Sequence, residues 1–205
     1  MTGNTDTSPT QAPTLGRPRS FDAAAALDAA IAVFHRDGLR GATYPALEAA
    51  TGLHRQSLVY AFGDKRAFFE KALERYFSRR VDTVVAALDG RGADGIRAAF
   101  ALWLGDAQRA EARGCLAVNT AGELAGREPG ASRVITRQTR RLVTAFAASF
   151  ARARAEGRLK SPADPAALAS AAVALADGAL LHARNDADAA LAEAGFDAFL
   201  DSLLT

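Results

Sequence analysis

The chain has 205 residues, 49% hydrophobic and 23% charged, and its 25 Lys and Arg against 23 Asp and Glu leave a formal charge of +2. A single cysteine, Cys115, excludes an intramolecular disulfide and any two-cysteine metal site, and with them a disulfide-stapled secreted scaffold. The first twenty residues, rich in Thr, Pro and Gly, have neither a signal-peptide nor a transit-peptide pattern, so cytoplasmic residence is the expectation.

The small total charge hides an uneven split. Residues 17–80 hold eleven basic and seven acidic side chains, and residues 81–205 hold fourteen and fifteen. A basic N-terminal third fits a polyanionic partner, but an excess of this size is also common on solvated faces.

Residues 1–19 lack an apolar period and read as a mobile arm. Ser20 is the expected cap of a first helix through about Arg36, with Ala24, Leu27, Ile31 and Phe34 on its apolar face and Gly38 just past its end. Thr43 caps a short second helix that has Pro45 in its first turn and Leu47 and Ala50 inside. After Gly52 a third helix runs from His54 to Ala61; Gly63 and Asp64 then break and cap a fourth, carrying Phe68, Phe69, Ala72, Tyr76 and Phe77 toward Leu88.

The remainder also reads as helix. Ala93 to about Glu111 carries Ile96, Phe100, Trp103 and Leu104, and a short helix begins near Cys115 and ends before Pro129. Arg133 to Glu156 carries Ile135, Leu142, Phe146 and Phe150 and is closed by Gly157. Asp164 and Pro165 open a helix to Arg184, and Asn185 or Asp186 starts the last, with Leu191, Phe196, Phe199, Leu200 and Leu203. The expected class is therefore all-α with about nine helices.

Pro165 to Ala183 approaches the length of a membrane span. It is dominated by Ala and interrupted by Ser170 and Asp177, which favours a buried helix over a transmembrane one. The last helix alone is a thin cover for it, so a homodimer through the last two helices is expected, with no membrane partner.

The sharpest pattern lies between Thr43 and Lys65. Two short helices around Gly52 have helix-turn-helix spacing, in which the second enters the DNA major groove. Leu53, Leu58 and Phe62 would face inward, while Arg55, Gln56, Val59 and Tyr60 face out. Arg pairs two ways with guanine, Gln with adenine, and Val touches a thymine methyl, so this face suits base reading. Ser57 and Lys65 suit phosphates, which fix register without reading sequence.

Over residues 21–77 the chain resembles the TetR family of transcriptional regulators, through Ala29, Ala30, Ile31, Phe34, Gly38, Gly41, Ala42, Thr43, Leu47, Ala50, Gly52, Leu58, Phe62, Lys65, Phe68 and Phe69. The resemblance implies an arm at 1–19, a DNA-binding domain at 20–80 and a ligand-binding and dimerisation domain at 81–205. It implies DNA contacts from Arg19, Thr43, His54, Arg55, Gln56, Ser57, Val59, Tyr60 and Lys65, and a repressor released from a palindromic double-stranded DNA operator by a small-molecule effector. Two positions depart from the family pattern: Val59 stands at the usual tyrosine, with Tyr60 after it, and His54 stands where Ser or Thr usually caps the recognition helix. Arg17 and Arg19 either reach a minor groove or belong to a solvated tail.

Phe100, Trp103, Leu104, Leu142 and Phe146 are candidate walls of an effector pocket, or plain core; Asn119, Glu123 and His182 are candidate polar anchors. Arg133, Arg137, Arg140 and Arg141 form a basic stretch that either attracts an acidic effector or is simply solvated. Cys115, at a helix start beside Arg113, is a possible redox or electrophile sensor with a dipole-lowered pKa, or a small buried hydrophobe.

A catalytic reading finds little support: His35, His54 and His182 are dispersed, and no Gly-rich phosphate loop is present. No enzyme activity, cofactor or metal is expected. A helical ligand-binding protein without DNA binding would account for the C-terminal part but not for the Arg55, Gln56 and Tyr60 face.

Overall fold

The computed structural model describes residues 21–108, 114–184 and 189–205. Among them are nine helices and no strand: α1 (Ala23–Gly41), α2 (Tyr44–Thr51), α3 (Arg55–Phe62), α4 (Lys65–Leu88), α5 (Gly92–Ala107), α6 (Leu116–Leu124), α7 (Pro129–Ala155), α8 (Pro165–Arg184) and α9 (Ala189–Leu203). The all-α class expected from the sequence is the one observed. The expected cap at Ser20, the contacts of Arg17, Arg19 and Arg113, and the last helix's start at Asn185 or Asp186 lie outside the described residues.

Asp22 caps α1, its Oδ1 accepting the N–H groups of Ala24 at 2.8 Å and Ala25 at 3.2 Å. Ala26, Ala30, Val33 and Phe34 are buried, whereas Ala24, Leu27 and Ile31, expected on the inner face, are only half-buried. The alanines at 23–26 are the reason: a run of small apolar residues carries no phase, so the true face lies one position round. At Gly38 the backbone leaves helical geometry, with φ +70°, and resumes in a short turn to Gly41.

Asp64 caps α4 by accepting from Ala67 N–H at 2.9 Å. Phe34 packs edge-on to Phe68 and Phe69, and Phe62 stacks on Phe68 with ring centroids 4.5 Å apart. Each buried phenylalanine contributes about 1.5–3 kcal/mol, so this cluster fixes α1 and α3 to the first turns of α4. Ala50 is exposed rather than buried, because α2 has only two turns and Leu47 alone anchors it.

The second half packs α7 against α4, α5 and α8. α7 starts at Pro129, four residues before the expected Arg133, with the proline in its first turn. Phe100, Trp103, Phe146 and Phe196 interlock at ring-centroid distances of 4.9–6.2 Å. The Ser149 hydroxyl donates to Leu88 O at 3.0 Å and pins α7 to the end of α4. α8 is long and apolar enough to cross a bilayer, but Ala169, Ala172, Val173, Ala176 and Leu180 are buried in this bundle. Leu191, expected on the apolar stripe of the last helix, is 58% exposed.

Candidate nucleic-acid interface

The helix-turn-helix is built by short-range polar contacts. Thr43 Oγ1 accepts from Ala46 N–H at 3.3 Å and starts α2. Gly52, with φ +68°, ends it in the left-handed conformation. Thr51 Oγ1 donates to Leu47 O at 2.7 Å and accepts from Leu53 N–H at 3.2 Å, which closes the turn. Leu58 and Phe62 are buried, as their spacing predicts.

Both ends of α3 are held from neighbouring helices. His54 stands at the N-cap but makes no side-chain bond to the helix. The orphan N–H of Arg55 donates instead to Glu48 Oε1 at 2.6 Å, so a carboxylate on α2 caps α3 and meets its positive dipole end. At the other end Lys71 Nζ donates to Phe62 O at 3.1 Å. The Arg55 guanidinium lies over the Tyr44 ring, 4.3 Å from its centroid. Sequence reasoning missed Tyr44, Glu48 and Lys71; seven residues separate Glu48 from Arg55, outside the capping spacings a sequence displays.

His54, Arg55, Gln56, Ser57, Val59 and Tyr60 all face solvent. Tyr60 is 89% exposed and stands clear of the packed side of α3 formed by Leu58 and Phe62. Thr43 is exposed at the start of α2. Lys65 is drawn inward: Nζ donates to Ala42 O at 2.8 Å and Arg40 O at 3.5 Å, so its ammonium closes the link between α1 and α2.

Around the C-terminal half, the structure separates the expected pocket residues. Phe100 and Phe146 are filled core; Trp103 and Leu142 line a cavity of about 30 Å³ together with Arg80, Cys115, Asp177 and Leu180. Leu104 is half-buried and does not line it. Arg80 pairs with Asp106. His182 is exposed on α8 and does not line the cavity at Cys115. Glu123, expected as a ligand anchor, instead accepts the N–H groups of Leu39 at 3.0 Å and Arg40 at 2.8 Å, tying α6 to the end of α1.

Cys115 is the N-cap residue of α6, as the sequence suggested, but its thiol is not lowered. Burial pushes it up, outweighing the backbone N–H groups of Val118 and Ala117 and the Tyr76 hydroxyl. Burial likewise raises Tyr76. Close by, the side-chain nitrogen and oxygen of Asn119, Thr120 Oγ1 and His35 Nε2 are buried without a hydrogen-bond partner.

Residues 26–72 match a family model described as bacterial regulatory proteins of the tetR family, and residues 92–199 match the tetracyclin repressor-like C-terminal domain. The chain is similar to an uncharacterized HTH-type transcriptional regulator, YezE of Bacillus subtilis (strain 168): 34% identical over 150 residues, 71% of this chain and 76% of that protein. Among solved structures it is similar to a cysteine mutant of the TetR family regulator CifR in complex with 26-bp double-strand operator DNA. The TM-score there is 0.79 at 26% identity, over 92% of this chain and 100% of that one. It also shares the fold of Escherichia coli NemR in its reduced form, with TM-score 0.79 at 20% identity over 88% of this chain and 95% of that one.

Proposed function

The chain belongs to the TetR family of DNA-binding transcriptional regulators, and from that premise we propose a repressor that occupies a palindromic operator as a homodimer and leaves it when a small molecule enters its C-terminal half. The observation that carries this reading is the α3 face, solvent-exposed at every base-reading position yet clamped at both ends by Glu48 and Lys71. A reader helix must be rigid before contact, because any ordering deferred to binding weakens it.

In this reading residues 20–80 bind DNA and 81–205 receive the effector and dimerise. Arg55, Gln56, Val59 and Tyr60 read base edges, while Thr43, His54, Ser57 and Lys65 contact phosphates, Lys65 after exchanging the Ala42 carbonyl. Arg19 extends the contact from the arm. Leu181 and Leu191, 46% and 58% exposed on α8 and α9, support the pairing of those helices with a second copy.

Selection of duplexes from a randomised library, followed by titration against salt, tests the DNA reading. The expected result is enrichment of an inverted repeat with affinity falling steeply as salt rises; equal, salt-insensitive binding to all duplexes would reject it.

One observation favours a second reading of the trigger: Cys115 lines the bundle's cavity beside Arg80 and Asp177. A reagent that enters there and modifies the thiol would add volume to a core that has none to spare. Release of the selected duplex by an alkylating agent from wild type but not from Cys115→Ser is the expected result, and equal release from both would remove it.

A further inference from the structure

A groove far larger than the cavity at Cys115 opens elsewhere among the described residues. It has a volume of about 910 Å³ and runs along the outer side of α7, against the last turn of α4 and the turn at Asp89 and Gly90. Its α7 side is one helical stripe, with Arg140 and Arg141, then Thr144, Ala148, Arg152 and Ala155 at successive turns.

Small residues make the groove. Ala145, Ala148 and Ser149 stand where longer side chains would fill the space against Val85, and the Ser149 hydroxyl is already committed to Leu88 O at 3.0 Å. The floor is therefore mostly apolar, with its one buried hydroxyl satisfied.

The charges around this floor do not cancel. Arg137 bonds Glu74 on α4, and Arg141 bonds Asp82 at 2.6 Å and Gln138 at 2.9 Å. Among the described residues Arg140 and Arg152 make no side-chain ion pair or hydrogen bond, and Asp89 is the only carboxylate lining the groove. Twelve residues of helix put the two free arginines about 18 Å apart, at opposite ends of the apolar floor. Two unpaired guanidinium groups flanking a mostly apolar floor, with Asp89 the one carboxylate on the lining and Arg141 already paired with Asp82, complement an anion with an apolar body, and they repel a cationic one.

We infer that this groove binds an elongated amphipathic anion, its carboxylate, sulfonate or phosphate held by Arg140 or Arg152 and its apolar body laid on Val85, Ala145 and Ala148. The inference deepens the effector reading above and rests on it for any effect on DNA, since it gives the entering molecule a chemical class. α4 links the groove to the DNA-reading half: the same helix that walls the groove at Val85 and Leu88 clamps α3 through Lys71.

The test titrates the intact protein with anilinonaphthalene sulfonate, an amphipathic anion, and with the uncharged N-phenyl naphthylamine, following fluorescence. Arg140→Ala with Arg152→Ala is expected to weaken the anion about tenfold, as loss of a charge-assisted contact does. The uncharged dye should be unaffected, and Arg140→Lys with Arg152→Lys should restore most of the loss. Ala148→Trp, which fills the trough, should weaken both dyes while leaving duplex selection intact. Unchanged anion affinity in the double alanine variant would overturn the site. Arginine-dependent binding in a protein that selected no duplex would uphold the site and remove the regulatory reading instead.

Discussion

Glu123 and Gly38 share one space: a β-carbon on Gly38 would fall on the Glu123 carboxylate, which accepts the N–H groups of Leu39 and Arg40. Two consecutive amides at the end of α1 form a small anion cradle, and α6 supplies the anion. Glu123→Ala leaves both amides without their partner and is expected to cost about 1–3 kcal/mol, read as a lower urea midpoint. Gly38→Ala should cost a similar amount for two reasons, the positive φ of +70° and the collision with Glu123. An unchanged midpoint in both variants would mean that α6 does not hold α1.

Arg55 rests on Tyr44, and that stacking should show in base preference. Tyr44→Phe keeps the ring under the guanidinium, whereas Tyr44→Leu removes it. The leucine variant is expected to lose about two- to fivefold in discrimination at the base pair where Arg55→Ala loses its preference, with the phenylalanine variant like wild type. A uniform loss of affinity across all duplexes would place Arg55 on phosphate instead.

His35 makes stability depend on pH. Desolvation comes first among the causes that lower its pKa, followed by the positive charge of Arg184, with Arg80 adding to it; the Gly114 backbone pulls the other way. A base with a folded pKa below its ordinary 6.5 is neutral in the native protein and takes up a proton on unfolding. Its contribution is therefore fully present above about pH 6.5 and lost as pH falls through the depressed value. The urea midpoint should drop on acidification through this window, and His35→Phe, which keeps the ring against Tyr76, should flatten that drop. Equal slopes for the two proteins would assign the acid sensitivity to other groups.

Leu181 and Leu191 should hold two copies together. Replacing both by Glu puts charge on the only large apolar side chains exposed on α8 and α9 among the described residues. Sedimentation at micromolar concentration is expected to show a dimer for wild type and a monomer for the variant, with helical content unchanged. A dimeric variant would move the interface elsewhere.

The helices were legible because their punctuation is local: Thr43, Gly52, Asp64 and Pro165 lie where caps and breaks belong. The exposed face of α3 followed from Leu58 and Phe62 alone. What a linear reading could not supply was anything decided between helices. Glu123 reads in the sequence as a polar anchor beside apolar candidate walls; the amides that it accepts are more than eighty positions away. Phe100 and Phe146 have the composition of a pocket wall and the packing of a core, and only their mutual distance of 6.2 Å separates the two. The arginines of α7 were visible as a run, but their inequality was not, since Arg137 and Arg141 are neutralised from α4 and Arg140 is not.

Cys115 sets two rules against each other, and their magnitudes decide. A thiol at a helix N-terminus gains from the dipole, typically 0.3–1 kcal/mol when exposed. Here the thiol is buried, and desolvation raises its pKa despite the N–H groups of Val118 and Ala117. At neutral pH it is expected to stay protonated and to react with iodoacetamide more slowly than a free thiol by about tenfold or more. Its rate should climb above the pH at which free cysteine levels off. Mild urea, below the unfolding midpoint, should accelerate it if the barrier is access through local opening of α6. Rapid alkylation at neutral pH in native buffer would show that the thiol is neither shielded nor raised, and would restore the dipole as the dominant influence.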